Sequence, residues 1–134
     1  MIRHPLPVGM IFCKSFSVDP ATNQTSLIGL FSSRHFDSFP TLPVTMAFFT
    51  YLTDAAGEGE LRLEIHRLSA NEPPQWIWRQ SRWIKFPDNP LLPIPIVFVV
   101  EKGLRFPVAG EYLVQLTLDG EVVTERILSV RQGV

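Results

Sequence analysis

Between Leu61 and His66 apolar and polar residues alternate without a fault: Leu61, Leu63 and Ile65 against Arg62, Glu64 and His66. A period of two puts the two sets on opposite faces of an extended chain, which predicts a strand with one dry face and one wet face. The period recurs along the chain, whereas nowhere do apolar residues repeat at i, i+3, i+4 and i+7 over three turns, so no significant helix is expected. Val44–Thr53 departs from simple alternation. Its Val44, Met46, Phe48, Thr50 set and its Thr45, Ala47, Phe49, Tyr51 set are both largely apolar, the pattern of a strand buried on both faces in the middle of a sheet.

Turn chemistry divides the rest. A first strand is expected over Val8–Val18 and its return over Thr25–Phe31. They join at Asp19-Pro20-Ala21-Thr22-Asn23, where Pro20 presets φ for a type I turn and Asn23 accepts the left-handed conformation that closes a bulged hairpin. Phe36–Pro43 reads as a connection, Asp54–Gly59 and Asn71–Pro74 as turns, and Gln75–Phe86 as a strand. Pro87–Pro95 contains four of the twelve prolines and is expected as a loop or sheet edge, because proline cannot donate to a ladder. Ile96–Val100 resumes an apolar strand, and the last hairpin runs from Gly110-Glu111-Tyr112 through Asp119-Gly120, a pair suited to a type I′ turn. About eight short strands without crossover helices predict an all-β antiparallel sandwich, immunoglobulin-like or jelly-roll-like, with a closed barrel as the alternative. Pro107–Val114 fits a tyrosine corner, in which the Tyr112 phenol bonds back to upstream backbone. Residues 1–134 are expected to form one domain, since 134 residues leave no room for two full cores.

Composition narrows the function classes. Hydrophobic residues make up 46% and charged residues 19%, with ten Phe, three Trp and two Tyr, which excludes intrinsic disorder. A net charge of −1 removes the basic footprint of a general nucleic-acid binder. The single cysteine, Cys13, excludes an intramolecular disulfide and fits a reducing cytoplasm. Met1–Cys13 has the outline of a lipoprotein signal, but Pro5 and Pro7 interrupt its apolar stretch and bulky Phe12 stands where a small residue precedes cleavage. No apolar run approaches a membrane span. A cytoplasmic protein is expected, with neither membrane nor nucleic acid as partner.

Several elements together resemble a known group. They are Cys13, Asp19-Pro20 with Asn23 closing the turn, Ser26-Leu27-Ile28-Gly29-Leu30-Phe31, Phe39-Pro40, Gly57-Glu58-Gly59-Glu60, Gly110-Glu111-Tyr112 and Leu118-Asp119-Gly120-Glu121. The chain resembles a family of small bacterial single-domain β-sandwich proteins of unknown function. The resemblance covers nearly the whole chain and implies a cytoplasmic β-sandwich with no catalytic residues to carry over. Asn23 stands where glycine is expected, a substitution that the left-handed position tolerates.

Catalytic signatures are sparse. There is no phosphate-cradling glycine loop, no Gly-x-Ser-x-Gly elbow, no Cys-x-x-Cys and no His-Glu-x-x-His. His4, His35 and His66 lie far apart in sequence, so neither a metal site nor a cofactor is expected. His66 reads as a solvated side chain beside Arg62 and Glu64. His35 and Asp37 share one face of an extended chain and form the one base–carboxylate pair worth naming. With Ser32, Ser33 and Ser38 nearby they make a hydrolase a distant third reading. Cys13, among Ile11, Phe12 and Phe16, is expected to pack as a small hydrophobe.

The unusual segment is Trp76–Lys85, which holds all three tryptophans and the cations Arg79, Arg82 and Lys85. Trp faces with Arg stack sugars or bases, and the same composition marks protein-interface hot spots. In a regular strand Trp76 and Trp78 share a face with Gln80 and Arg82, while Trp83 shares the other with Ile77, Arg79 and Lys85. Neither face is purely core or purely wet unless a bulge intervenes, and Trp76 and Trp78 are expected to bury their rings in the core while Trp83 stays partly exposed. Trp76, Trp78, Arg79, Arg82 and Trp83 are the candidate binding residues, with Pro90-Leu91-Leu92-Pro93 an adjacent loop.

A two-residue turn at Asp119-Gly120 sets Leu116 opposite Val123, Val114 opposite Glu125 and Tyr112 opposite Ile127. That register puts Tyr112, Val114, Leu116, Val123 and Ile127 in the core. It leaves Leu113, Val122, Leu128 and Val130 on the outer face, more apolar than a monomer needs. These four are the candidate self-association surface. The leading expectation is a non-enzymatic interaction module that self-associates. The alternative is a small-ligand or carbohydrate-binding sandwich that uses Trp83 with Arg79 or Arg82.

Overall fold

The computed structural model describes residues 5–7 and 9–133; His4 and Val8 lie outside them. The described residues form ten strands and no helix: β1 (Leu6–Pro7), β2 (Ile11–Val18), β3 (Thr25–Phe31), β4 (Ser33–Phe36), β5 (Met46–Thr53), β6 (Glu58–Ser69), β7 (Glu72–Lys85), β8 (Ile94–Val100), β9 (Gly110–Leu118) and β10 (Glu121–Gln132). They make an antiparallel sandwich. In the first sheet β5 is central, with β8 on one flank and β1 and β2 on the other, and β3 lies outside β2. The second sheet runs β7-β6-β9-β10-β4. Its one parallel pair joins β4 to β10, because the chain leaves β3, crosses at Ser32 and enters the other layer.

The alternating pattern places the core. Leu61, Leu63 and Ile65 of β6 are buried and meet Leu118, Leu116 and Val114 of β9 across the ladder. From the first sheet come Phe12, Met46, Phe48, Leu52, Ile96, Phe98 and Val100, and the two sets form one cluster. Phe12 and Phe48 meet edge to face at 5.4 Å, a favoured aromatic geometry. Tyr112 is fully enclosed and its phenol donates to the Val108 carbonyl at 2.7 Å, as the tyrosine corner requires. Asn23 has φ +60°, the left-handed turn position assigned to it. Asp119 and Gly120 have φ +49° and +86°, both positive as a type I′ turn demands.

The last hairpin corrects the expected register. Leu118 does face Glu121, but the ladder shifts between Val122 and Thr124, and from there Leu116 faces Thr124, Val114 faces Arg126 and Tyr112 faces Leu128. One extra residue on β10 turns every later side chain to the other face. Leu128 and Val130 are therefore core residues at 0% exposure, and Ile127 is 42% exposed. Of the four residues expected outside, Val122 is exposed and Leu113 half-buried. The expected outer set thus loses Leu128 and Val130, and Ile127, opposite Leu113, takes a place on that face.

Cys13, Ala47 and Phe49 are also buried, yet they lie on the outer face of the first sheet. The β2–β3 hairpin covers them. It bends at Lys14 and Gly29, where Gly29 has φ +69° and a Cβ would stand 3.0 Å from the Lys14 side chain. Beyond the bend Phe16 and Leu27 pair and are half-buried, while Ser15, Ser17 and Ser26 face solvent. The tip residues Val18, Asn23 and Thr25 line one recess together with Ile94–Val97 of β8. β3 and β8 are opposite edges of one sheet, so a shared recess requires the hairpin to fold across its face. Burial raises the Cys13 thiol pKa above its ordinary value, and a backbone hydrogen bond with Ile28 partly offsets the shift.

Candidate interaction site

Among the described strands five pair on one side only: β1, β3 and β8 in the first sheet, β7 and β4 in the second, and β1 has just two residues. Edge strands carry unpaired backbone donors and acceptors, and proteins ordinarily blunt them. β4 has four residues, and β3 is bent at Gly29. β8 is blunted twice. Arg82 donates a hydrogen bond from Nη2 to the Val97 carbonyl, so Val97 turns its backbone polar groups away from β5 and toward β7. Pro95, two residues earlier, faces the same way and has no N–H to offer.

β7 is different. It has 14 residues, pairs with β6 alone, and from Trp78 to Lys85 follows Ile65 to Glu58 without a break in register. Prolines occur only at its start, at Pro73 and Pro74. The register shifts twice near its start, between Arg67 and Ser69 and between Ile65 and His66; at the second shift Ile77 is the extra residue and Trp76 comes opposite His66. That bulge separates two tryptophans expected on one face. Trp78 packs with Ile77 against the core, and Trp76 goes outside, 53% exposed. The expectation that Trp76 is a core residue is corrected. Trp83 is 65% exposed.

The cations are arranged around these rings. Arg79 lies with its guanidinium 4.5 Å from the Trp76 ring centre, a cation–π distance. Arg82 projects inward, opposite Leu61, and stacks 4.2 Å over Phe98. Partial burial lowers its pKa from the usual guanidinium value. On the outer face of β6, Arg62 contacts Glu60 at 2.7 Å and Glu64 at 3.6 Å. His66 Nε2 lies 2.8 Å from Glu64 Oε2, close but misaligned as a hydrogen bond. Glu60, Arg62, Glu64 and His66 stand directly across from Trp83, Ser81, Arg79 and Trp76.

Two recesses run along β7. The larger, about 470 Å³, is bounded by Arg82–Ile84, by Ile94–Val97 of β8 and by the tip of the β2–β3 hairpin. The smaller, about 370 Å³, lies beside Trp78, Arg79 and Gln80 and is closed by Val99, Glu101 and Lys102. The binding candidates thus gather on one edge, with Trp76 and Trp83 outside, Trp78 inside and Arg82 bridging the layers. Alternation in the sequence does not show the hairpin tip, Pro95 or the Val97 carbonyl as parts of this region. The proline-rich segment before β8 was the available signal for the last two.

The other candidates fare differently. His35 is exposed on β4 and does not line the recess of about 380 Å³ that Asp37 and Ser38 enter. The geometry needed to join His35 to Asp37 in one pocket is not formed. Arg34 lines that recess instead, stacked between Phe31 and Phe36 at 5.0 and 5.3 Å. Among the described residues no three His, Cys, Asp or Glu side chains converge to hold a metal ion, and no helix is long and apolar enough to cross a membrane.

The chain belongs to a family of unknown function (DUF6941), whose model matches residues 9–131. No curated protein matches it.

Proposed function

We propose that this chain, a member of a family of unknown function, is a non-enzymatic, cytoplasmic protein-interaction module whose contact region is the β7 edge. One observation carries the reading: the long edge strand, free of proline and of bulges from Trp78 to Lys85, also presents two exposed tryptophans. Aromatic anchors with a cationic rim are what interface hot spots are made of. Of the residues expected to carry self-association on the last hairpin, Leu128 and Val130 lie in the core, which leaves the β7 edge the better supported contact region.

A small ligand or sugar in the larger recess is the second reading, favoured by Trp83 on its wall. It is the weaker one. Arg82 is committed to Val97 and Phe98 and Arg79 does not line that recess, so neither guanidinium is poised over it for a polar ligand.

Photocrosslinking in cells tests the interaction reading. A benzophenone side chain at position 83 is expected to give a discrete crosslinked protein, and the same group at Ile127 on β10 is not. Crosslinks at neither position, or equally at both, would remove β7 as a contact region.

A further inference from the structure

The edge also specifies what kind of chain fits it. We infer that β7 takes an extended, acidic segment of another protein as a sixth strand of the second sheet. Carboxylates of that segment stand opposite Arg79 and Lys85, and an apolar side chain lies opposite Trp83. This inference rests on the interaction reading and deepens it.

Backbone geometry makes the edge receptive. From Trp78 to Lys85 the strand is in unbroken register, so its outward N–H and C=O groups present a regular ladder for strand addition. The recesses beside Arg82–Ile84 and Trp78–Gln80 leave room along the same stretch. β8 offers no competing ladder, because Pro95 lacks a donor and Arg82 holds the Val97 carbonyl.

Charge selects the occupant. Trp76–Lys85 contains three cations and no carboxylate in a chain whose net charge is −1. A second copy of β7 would set these cations against themselves, and like charges directly opposite or diagonal destabilise a strand pair. Glu64 and Glu58 face Arg79 and Lys85 from β6, and an acidic strand meets the same two cations from the free side. On the outer face β7 presents Arg79, Ser81, Trp83 and Lys85 in alternation. An antiparallel partner therefore needs an acid, an apolar residue, a small residue and an acid at every second position. The intervening residues face Trp78, Gln80, Arg82 and Ile84, and the slightly greater stability of antiparallel pairing favours this direction.

The test uses the full chain and fluorescent heptapeptides. The probe is Glu-Thr-Phe-Thr-Ser-Thr-Glu; its comparison has Lys at both ends. Anisotropy at low salt is expected to show the acidic peptide binding about tenfold more tightly, with the gap closing near 1 M salt, as it must for exposed charges. The double variant Arg79→Glu, Lys85→Glu, at two exposed positions, is expected to reverse the preference. Bound peptide is expected to slow amide exchange on β7 and not on β3 or β8. Equal binding of both peptides, no binding of the acidic one, or a preference unmoved by the double variant would overturn the inference. So would crosslinking from position 83 to a second copy of this chain, an outcome that keeps the interaction reading while discarding the acidic partner. No crosslinked protein at all would discard the reading itself.

Discussion

β7 and β8 flank the same open side of the sandwich, one at the edge of each sheet, and they are treated in different ways. β8 is short, carries Pro95 on its free side and has its Val97 carbonyl occupied by Arg82. β7 is twice as long, straight over its second half and backed by exposed rings. The guard on β8 is supplied by β7 itself, since Arg82 reaches across to the Val97 carbonyl. The two edges are blunted by different means: β8 by proline and a capped carbonyl, β7 by its cations and by prolines and bulges confined to its start. The stretch from Trp78 to Lys85 is the one on which the proposed pairing rests.

Mutations can break that contrast in graded steps. Phe98→Ala removes a core ring of β8 and the platform under Arg82. It is expected to cost about 4 kcal/mol, measured by urea unfolding, whereas an effect below about 1 kcal/mol would mean that β8 is not the buried wall described here. Arg82→Ala leaves the core intact but frees the Val97 carbonyl. A loss of about 1 kcal/mol is expected, together with concentration-dependent association visible in light scattering. Pro95→Val restores a donor on the free edge of β8; stability should move by less than about 0.5 kcal/mol, and association should rise further in the Arg82→Ala background. A strictly monomeric double variant would show that β8 needs no guard. Trp83→Ala should be the mildest, within about 0.5 kcal/mol in thermal unfolding, because a ring 65% exposed supports little of the fold. A larger loss would make Trp83 a structural residue rather than a contact.

Local chemistry made much of this architecture legible before any coordinates. Leu61, Leu63 and Ile65 announce their buried face by alternation, Asn23 and Asp119-Gly120 their left-handed turns, and Tyr112 its corner, because each depends on residues within a few positions of itself. The two failures share one cause. A bulge inserts a single residue, and neither Ile77 nor Val123 differs in type from a regular strand residue, yet each reverses the face of all that follows. Trp76 moved outward and Leu128 and Val130 moved inward for this reason. In β10 the adjacent pairs Val122-Val123 and Ile127-Leu128 left either register open, and only packing against Tyr112 and Val114 decides it. β4 was missed because its partner β10 lies far along the chain and runs parallel. Gly29 is visible as a glycine, but the direction in which it folds the hairpin is a tertiary fact. The candidate site was legible in its residues and not in its geometry.

The folded-back hairpin gives the molecule a built-in chemical clock. Cys13 is the only thiol in the chain, fully enclosed beneath the bend, and its burial disfavours the reactive thiolate. A reagent can label it only while the hairpin is lifted, so the labelling rate at rising reagent concentration reports how often that flap detaches. Because the flap packs outside the main core, its opening should be separable from global unfolding. Its tip also forms one wall of the larger β7 recess. A partner seated there would register in the same rate, letting a single buried sulfur time events at an edge it never touches.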